Sequence, residues 1–331
     1  MWRVQEQRGV DALESLAGEW RSLETRCRHA TAFQSPEWLI PWWSCFGHGE
    51  LRVVTVRRDG SLCAFLPLLI EATAAGSRVT LLGTGNSDHL DLLVDDRCRD
   101  VATALAIDTV ALGLSQRDWC DFEQLPASSP LLRTPAPFSW EWTSEQCDVC
   151  PTLAIATCAG GDPLPARRSA DARYMRRRLS RLGNVEVDIV RRDSLDEALT
   201  ALFALHRARW TARHFPGLLT DTSVRRFLHC VAEAFLARGL LRLYTLRLSG
   251  RIVAVHFGLQ WCGRRCYYIG GFDPELAALS IGSVLLEHSI RDAMAEGATE
   301  FDFLRGAEPY KYRWGATDRP SYRRVLRHRP A

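Results

Sequence analysis

Residues 265–306 read RCYYIGGFDPELAALSIGSVLLEHSIRDAMAEGATEFDFLRG, and this order of residue types decides the fold. Cys266 to Ile269 is rich in aromatic and β-branched side chains, which predicts a strand. A loop with Gly270, Gly271, Asp273 and Pro274 follows, and Ser280-Ile281-Gly282-Ser283 then opens a helix. Leu286, Ile290, Ala293 and Met294 form its inward face, Gly297 ends it, and Thr299 to Leu304 makes the next strand. The first amides of a helix have no intrahelical acceptor, and the aligned peptide dipoles place about half a positive charge there. A glycine at 282 lets a phosphate approach that backbone closely, so the segment reads as a diphosphate cradle. On physics alone it reads equally well as an ordinary helix-start glycine. Neither G-x-G-x-x-G nor G-x-x-x-x-G-K-[ST] occurs, which argues against a Rossmann dinucleotide site and a P-loop.

The elements before this segment follow a regular order. Leu195, Leu199, Leu202, Phe203, His206 and Trp210 form one helical stripe; Val224, Phe227, Leu228, Val231 and Phe235 form a second, closed by Gly239. Strands are predicted over 240–248, 252–260 and 265–271, a helix over 282–296 and a strand over 299–304. The N-terminal half is predicted to open with helices, one carrying Leu13, Leu16, Trp20 and Leu23, the next starting at Ser35-Pro36. Strands follow at 51–57, 62–70, 78–83 and 90–94, then a helix at 99–113 and a strand at 119–124. Both halves thus read helix, helix, several strands, helix, strand. The expected division is 1–160 and 161–331, with a linker near 157–170 where Gly160, Gly161, Pro163 and Pro165 cluster. In the first half the comparable helix follows Val94 to Asp100, which has no glycine and three aspartates, so only the C-terminal domain is expected to bind a diphosphate.

Composition bounds the function. At 331 residues and net charge +3, the chain has room for two globular cores and no overall signature of nucleic-acid binding. The N-terminus is polar, and no apolar run reaches the ~18 residues of a membrane helix, which predicts a soluble cytoplasmic protein. Among eleven cysteines the closest pair is Cys147 and Cys150; Cys262 and Cys266 are spaced one residue wider, and Cys158 stands alone. No four-ligand zinc pattern results, so no metal is expected, and an odd count fits buried free thiols.

The segment 265–306 resembles the acyl-CoA-binding motif of GNAT acetyltransferases: strand, Gly-containing loop, amphipathic helix, "Gly-Ala" and strand. The run Phe301 to Gly315, FDFLRGAEPYKYRWG, resembles more specifically the CelD/BcsL-type acetyltransferases found near bacterial exopolysaccharide and cellulose genes, departing from them at Ala307, where that family carries an acidic residue. Phe33 to Trp43 and Leu82-Gly83 through Asp91 are also similar to that family. Lys311 to Gly315 is similar to the segment that closes the C-terminal domain of the related FemAB transferases, which hold two GNAT-like domains and extend peptidoglycan bridges. The resemblance implies an α/β fold of two tandem GNAT-like domains, each a mixed, mostly antiparallel sheet flanked by helices. It implies acetyl-CoA or another acyl-CoA as co-substrate, and no metal.

The resemblance also implies roles, each with a structural alternative. Backbone groups of Tyr268, Ile269, Gly270 and Gly271 would hold the pantetheine and acyl group, and Ser280, Ile281, Gly282 and Ser283 the diphosphate; strand core is the alternative. Asp302 or Glu308 is the candidate base, or a surface ion pair with Arg305 or Lys311. Tyr310 or Tyr312 would protonate the leaving thiolate, or simply pack. His206 shares an apolar stripe and is either a core histidine or the best histidine base, whereas His256 reads as structural. Asp88 and His89 lie in the polar knot Asn86 to Asp91, either a turn or an acceptor-binding edge; Lys311 and Trp314 complete the candidate substrate contacts. Seven arginines between Arg167 and Arg181 read as a solvated basic helix, or as a surface for an anionic acceptor, a membrane or the coenzyme A 3′-phosphate.

These readings predict transfer of an acyl group from acyl-CoA to a hydroxyl or amine of an exopolysaccharide or cell-envelope precursor, with a peripheral membrane or synthase complex as a further partner. The competing readings are a FemAB-like aminoacyl-tRNA-dependent transferase and a non-catalytic scaffold of a polysaccharide-synthesis complex. tRNA binding is not favoured at this net charge.

Overall fold

The structure, a computed structural model, describes residues 1–155, 164–212 and 214–329. Contacts divide the chain into two compact units, Met1–Val149 with Arg319–Ala331, and Cys150–Asp318. Cys158, Gly160, Gly161 and Pro163 of the expected linker lie outside the described residues; Pro165 stands at the N-cap of a helix.

The first unit runs β1 (Trp2–Arg8), α1 (Val10–Glu24), α2 (Pro36–Phe46), β2 (Glu50–Arg58), β3 (Ser61–Thr73), β4 (Gly76–Leu81), β5 (Leu93–Val94), α3 (Arg99–Leu112), β6 (Trp119–Pro126) and β7 (Trp140–Val149). The second runs β8 (Thr152–Ala154), α4 (Ala166–Leu179), β9 (Val185–Ile189), α5 (Leu195–Thr211), α6 (Thr222–Ala237), β10 (Leu241–Leu248), β11 (Arg251–Trp261), β12 (Arg264–Phe272), α7 (Ile281–Ala295), β13 (Glu300–Asp302) and α8 (Pro309–Tyr312). The last strand, β14 (Pro320–His328), returns to the first unit and pairs with both β6 and β7.

The sheet orders show one plan used twice. The first sheet is β1-β2-β3-β4-β6-β14-β7, with β5 on β3; the second is β9-β10-β11-β12-β13-β8. In each unit a strand, two helices and three antiparallel strands precede a helix and a strand that pairs in parallel with the third. The duplicated order was expected, but the opening strand was not: the chain starts with β1, an edge strand whose side chains are mostly exposed or half-exposed. The strand expected at 90–94 is only Leu93–Val94, and the one expected at 299–304 only Glu300–Asp302. Ten cysteines are described, all free; Cys147 and Cys262 are exposed rather than buried.

The helices of the second unit form for legible reasons. Asp221 caps α6, its carboxylate accepting from the amides of Ser223 at 2.7 Å and Val224 at 3.4 Å, and Gly239 follows the helix in a left-handed conformation. Helix α7 buries Ile281, Val284, Leu285, Leu286, Ile290 and Ala293 between two apolar clusters. One holds Phe301, Phe303 and Trp314, and the other Tyr244, Leu246 and Val253. Helix α5 closes onto β12 where Gly271 has no side chain: a Cβ there would lie 2.6 Å from the His206 amide nitrogen and 3.1 Å from the Leu202 carbonyl oxygen.

Candidate functional site

The second sheet forks beside α7. The parallel ladder between β12 and β13 covers only Arg264–Cys266 against Glu300–Asp302. Beyond it β13 leans toward β8, the amide of Phe303 donating to the Pro151 carbonyl at 3.0 Å. From Tyr267 to Phe272, β12 has no strand partner on that side among the described residues. Its other side stays paired with β11, with a register shift at Phe257/Gly258 that leaves Tyr268 without a partner in the ladder. The result is a wedge with an open row of backbone donors and acceptors along one wall.

Helix α7 starts beside this wedge. A turn of 3-10 helix, Pro274–Leu279, leads into Ser280, which takes a left-handed conformation at φ 49° and ψ 40°. Ser280 accepts from the amides of Ser283 at 2.8 Å and Val284 at 3.2 Å. No acceptor takes the amides of Ile281 and Gly282 among the described residues. Ile281 is buried, Gly282 half-buried and Ser283 exposed, so the helix start is open to a ligand on one side. The nearest atoms to a Cβ on Gly282 belong to the Phe272 ring, the closest at 3.3 Å. Two unpaired amides, the helix dipole and a glycine thus come together next to the free edge of β12. The first unit differs at the matching place. There Asp95 accepts from the Arg97 amide and pairs with Arg26 and Arg97, while Asp96 pairs with Arg28 and Arg99.

The remaining candidates of the second unit gather around the fork. Asp302 ends β13, is buried, and accepts from the Leu304 amide at 2.8 Å; it thereby holds Leu304 in a left-handed turn at φ 57°. Glu308 precedes α8 with its side chain 55% exposed and pairs with Lys311 at 2.8 Å. Lys311 is itself buried, and its ammonium also donates to the carbonyls of Leu304, Arg305 and Gly306 at 2.8 to 3.0 Å. Its charge is therefore spent on shaping the loop that follows the fork. Trp314 is buried in the cluster with Phe301 and Phe303. Tyr310 and Tyr267 pack against the same cluster, and burial raises the pKa of both, so each keeps its phenolic proton at neutral pH. Tyr312 is exposed and donates to Asp318 at 2.7 Å.

His206 sits on α5 against the backbone of Gly271, and its Nδ1 has no partner among the described residues. Burial, with a smaller contribution from Arg209, pushes its pKa down to about 4, so the imidazole is neutral and a weak base. His256 is fully buried between Tyr244 and Tyr267, and burial pushes its pKa well down. Asp88 and His89 are buried in the first unit, in a knot tied to α2 and its approach. The Trp38 indole donates to Ser87, Thr31 donates to the His89 carbonyl, and Gln34 donates to the Asp91 carbonyl. Sequence reading did not single out Arg209, whose position resembles any charged residue in the last turn of a helix.

Residues 166–312, all within the second unit, match the family model described as an acetyltransferase (GNAT) domain. Over these residues the second unit is thus similar to a GNAT-type acetyltransferase domain. Among solved structures, the chain is similar to FemX at 10% identity, covering 96% of each chain with a TM-score of 0.67. It is similar to L-PGS from Bacillus licheniformis at 13% identity, covering 97% of this chain and 92% of that one with a TM-score of 0.57. No curated protein matches the sequence. At these identities the structural likenesses show a shared fold: the expected pair of GNAT-like α/β units, each a mixed sheet flanked by helices.

Proposed function

We propose that the protein is an acyl-CoA-dependent acyltransferase whose thioester donor binds in the fork between β12 and β13. The observation that carries the reading is the free edge of β12 running to the unpaired amides of Ile281 and Gly282. Those amides and the α7 dipole would take the diphosphate, and the backbone of Tyr268, Ile269, Gly270 and Gly271 would hold the pantetheine and acyl group. Glu308 is the better-placed base, because it is exposed while Asp302 is committed to the Leu304 amide. It would take the proton as an acceptor oxygen or nitrogen attacks the thioester carbonyl; the new C–O or C–N bond forms, and the C–S bond breaks. Tyr310, protonated and beside the wedge, would give its proton to the departing thiolate. The resemblance of residues 301–315 to CelD/BcsL-type enzymes supports an exopolysaccharide or cell-envelope precursor as acceptor, met in the cytoplasm. Asp88 and His89 remain the proposed acceptor contacts of the first unit. The test is calorimetric titration with acetyl-CoA, followed by thiol release when glycan acceptors are added. Micromolar binding with acceptor-dependent release supports the reading, and no binding refutes it.

One observation favours a second reading, a FemAB-like aminoacyl transfer from tRNA. Helix α4 exposes Arg167, Arg173, Arg176 and Arg177, a surface suited to a phosphate backbone. Salt-dependent tRNA binding stronger than acetyl-CoA binding would select it.

A further inference from the structure

Arg209 stands at the fork with its charge unanswered. It lies in the last turn of α5, and its Nε is buried without a hydrogen-bond partner. Among the described residues it makes no ion pair: Glu308, the nearby carboxylate, is bound to Lys311. Its guanidinium carbon lies 4.7 Å from the centre of the Phe272 ring and 6.0 Å from that of Trp210. The Phe272 ring also lines Gly282, 3.3 Å from where a Cβ would sit, so Arg209 and the start of α7 share one aromatic wall. The positive field of Arg209 also reaches Tyr267 on β12, Tyr310 on α8 and His206 on α5, opposing or adding to the effect of burial on each. The charge is therefore felt by groups from three elements around the fork.

A buried guanidinium nitrogen left unbonded is costly, and folded proteins nearly always satisfy such groups. Stacking on Phe272 holds the guanidinium plane without using its donors, which leaves them for a ligand. We propose that Arg209 is the anion-recognising residue of the fork and binds an oxyanion group of the thioester ligand. The inference rests on the thioester reading above. Two parts of such a ligand carry that chemistry: the diphosphate of the carrier, and a carboxylate at the end of a dicarboxylic acyl chain. The shared wall with Gly282 favours the first.

Calorimetric titration of the full chain and of R209M with acetyl-CoA, succinyl-CoA and S-acetylpantetheine, which lacks the diphosphate, separates these. Among the described residues Arg209 has no hydrogen bond or ion pair to lose, only its stacking on Phe272, so R209M is expected to melt close to the temperature of the unaltered protein. R209K, which keeps the charge without the planar fork, provides a second folded variant and is expected to lose less affinity. If Arg209 holds the diphosphate, R209M binds acetyl-CoA roughly 10- to 100-fold more weakly and S-acetylpantetheine equally well. If it holds an acyl carboxylate, the unaltered protein prefers succinyl-CoA to acetyl-CoA by about tenfold or more, and R209M loses that preference alone. Affinities within twofold for all three ligands overturn the proposal and leave the thioester reading standing. An unaltered protein that binds none of the three overturns both.

Discussion

Replacing Gly282 with aspartate separates anion binding from stability. The new Cβ meets only the Phe272 ring, at 3.3 Å, a side chain able to give by a few tenths of an ångström. An acidic residue in the first turn of a helix is favourable by about 0.3–1 kcal/mol, and replacing glycine also reduces the freedom of the unfolded chain. G282D is thus expected to melt at or slightly above the temperature of the unaltered protein. Its carboxylate, however, stands where the unpaired amides of Ile281 and Gly282 would meet a diphosphate. At about 5 Å and an effective dielectric of about 40, each pair of unit charges repels by about 1.7 kcal/mol. Against about two phosphate charges the sum is about 3 kcal/mol, or more than 100-fold in affinity. The assay is calorimetric titration with coenzyme A alongside thermal melting, with G282A as the uncharged control, expected within about threefold of the unaltered affinity. An unchanged affinity in folded G282D would refute the placement of the diphosphate. So would an equal loss in G282A, since the effect would then be steric.

Three further outcomes follow from the geometry. G271A should lower stability by about 2–3 kcal/mol in urea unfolding, because its Cβ would press on the α5 backbone at His206 and Leu202; a loss under 0.5 kcal/mol would contradict the tight packing of α5 on β12. K311M should cost about 2–4 kcal/mol, since it leaves the carbonyls of Leu304, Arg305 and Gly306 without their donor; an unchanged urea midpoint would show that water replaces the ammonium. Burial raises the Asp91 carboxyl to about 7 from its ordinary 3.8, despite hydrogen bonds from Ser129 and the Leu92 amide. Between those pH values the folded state holds a proton that the unfolded chain has lost, so this group's contribution to stability falls as pH rises from about 4 to 7. D91N should flatten that slope in pH-dependent melting of the first unit, and an unaltered slope would mean that Asp91 is charged when folded.

The helices and the glycine-bearing turn that opens α7 were legible because their signals are local. Apolar residues at helical spacing located α1, α3, α5 and α6 within a few residues, and Gly282 marked the start of α7. Strands whose fit depends on distant partners were not legible. No strand is predicted over PSYRRVLRH, yet β14 lies inside the first sheet. Its Arg324 is buried over the Trp142 ring and donates to the carbonyls of Leu131 and Thr134, and its Arg323 pairs with Asp121. Only the folded sheet reveals those partners. Strand β1, WRVQEQR, lacks a clean alternation because it is an edge strand exposed along much of its length. In the site, the motif residues were named, but Arg209 was not: a single arginine on a helix carries no sign that its partners are missing. The division of labour between Glu308 and Lys311 was equally hidden, since it depends on the fold of the loop after Asp302.

The most direct test is a crystal structure of the protein grown with coenzyme A. The account predicts the diphosphate oxygens about 3 Å from the amide nitrogens of Ile281 and Gly282, with the pantetheine along the Tyr268–Gly271 side of the fork. A diphosphate bound to other residues, or a fork filled by protein side chains with coenzyme A elsewhere, would contradict it.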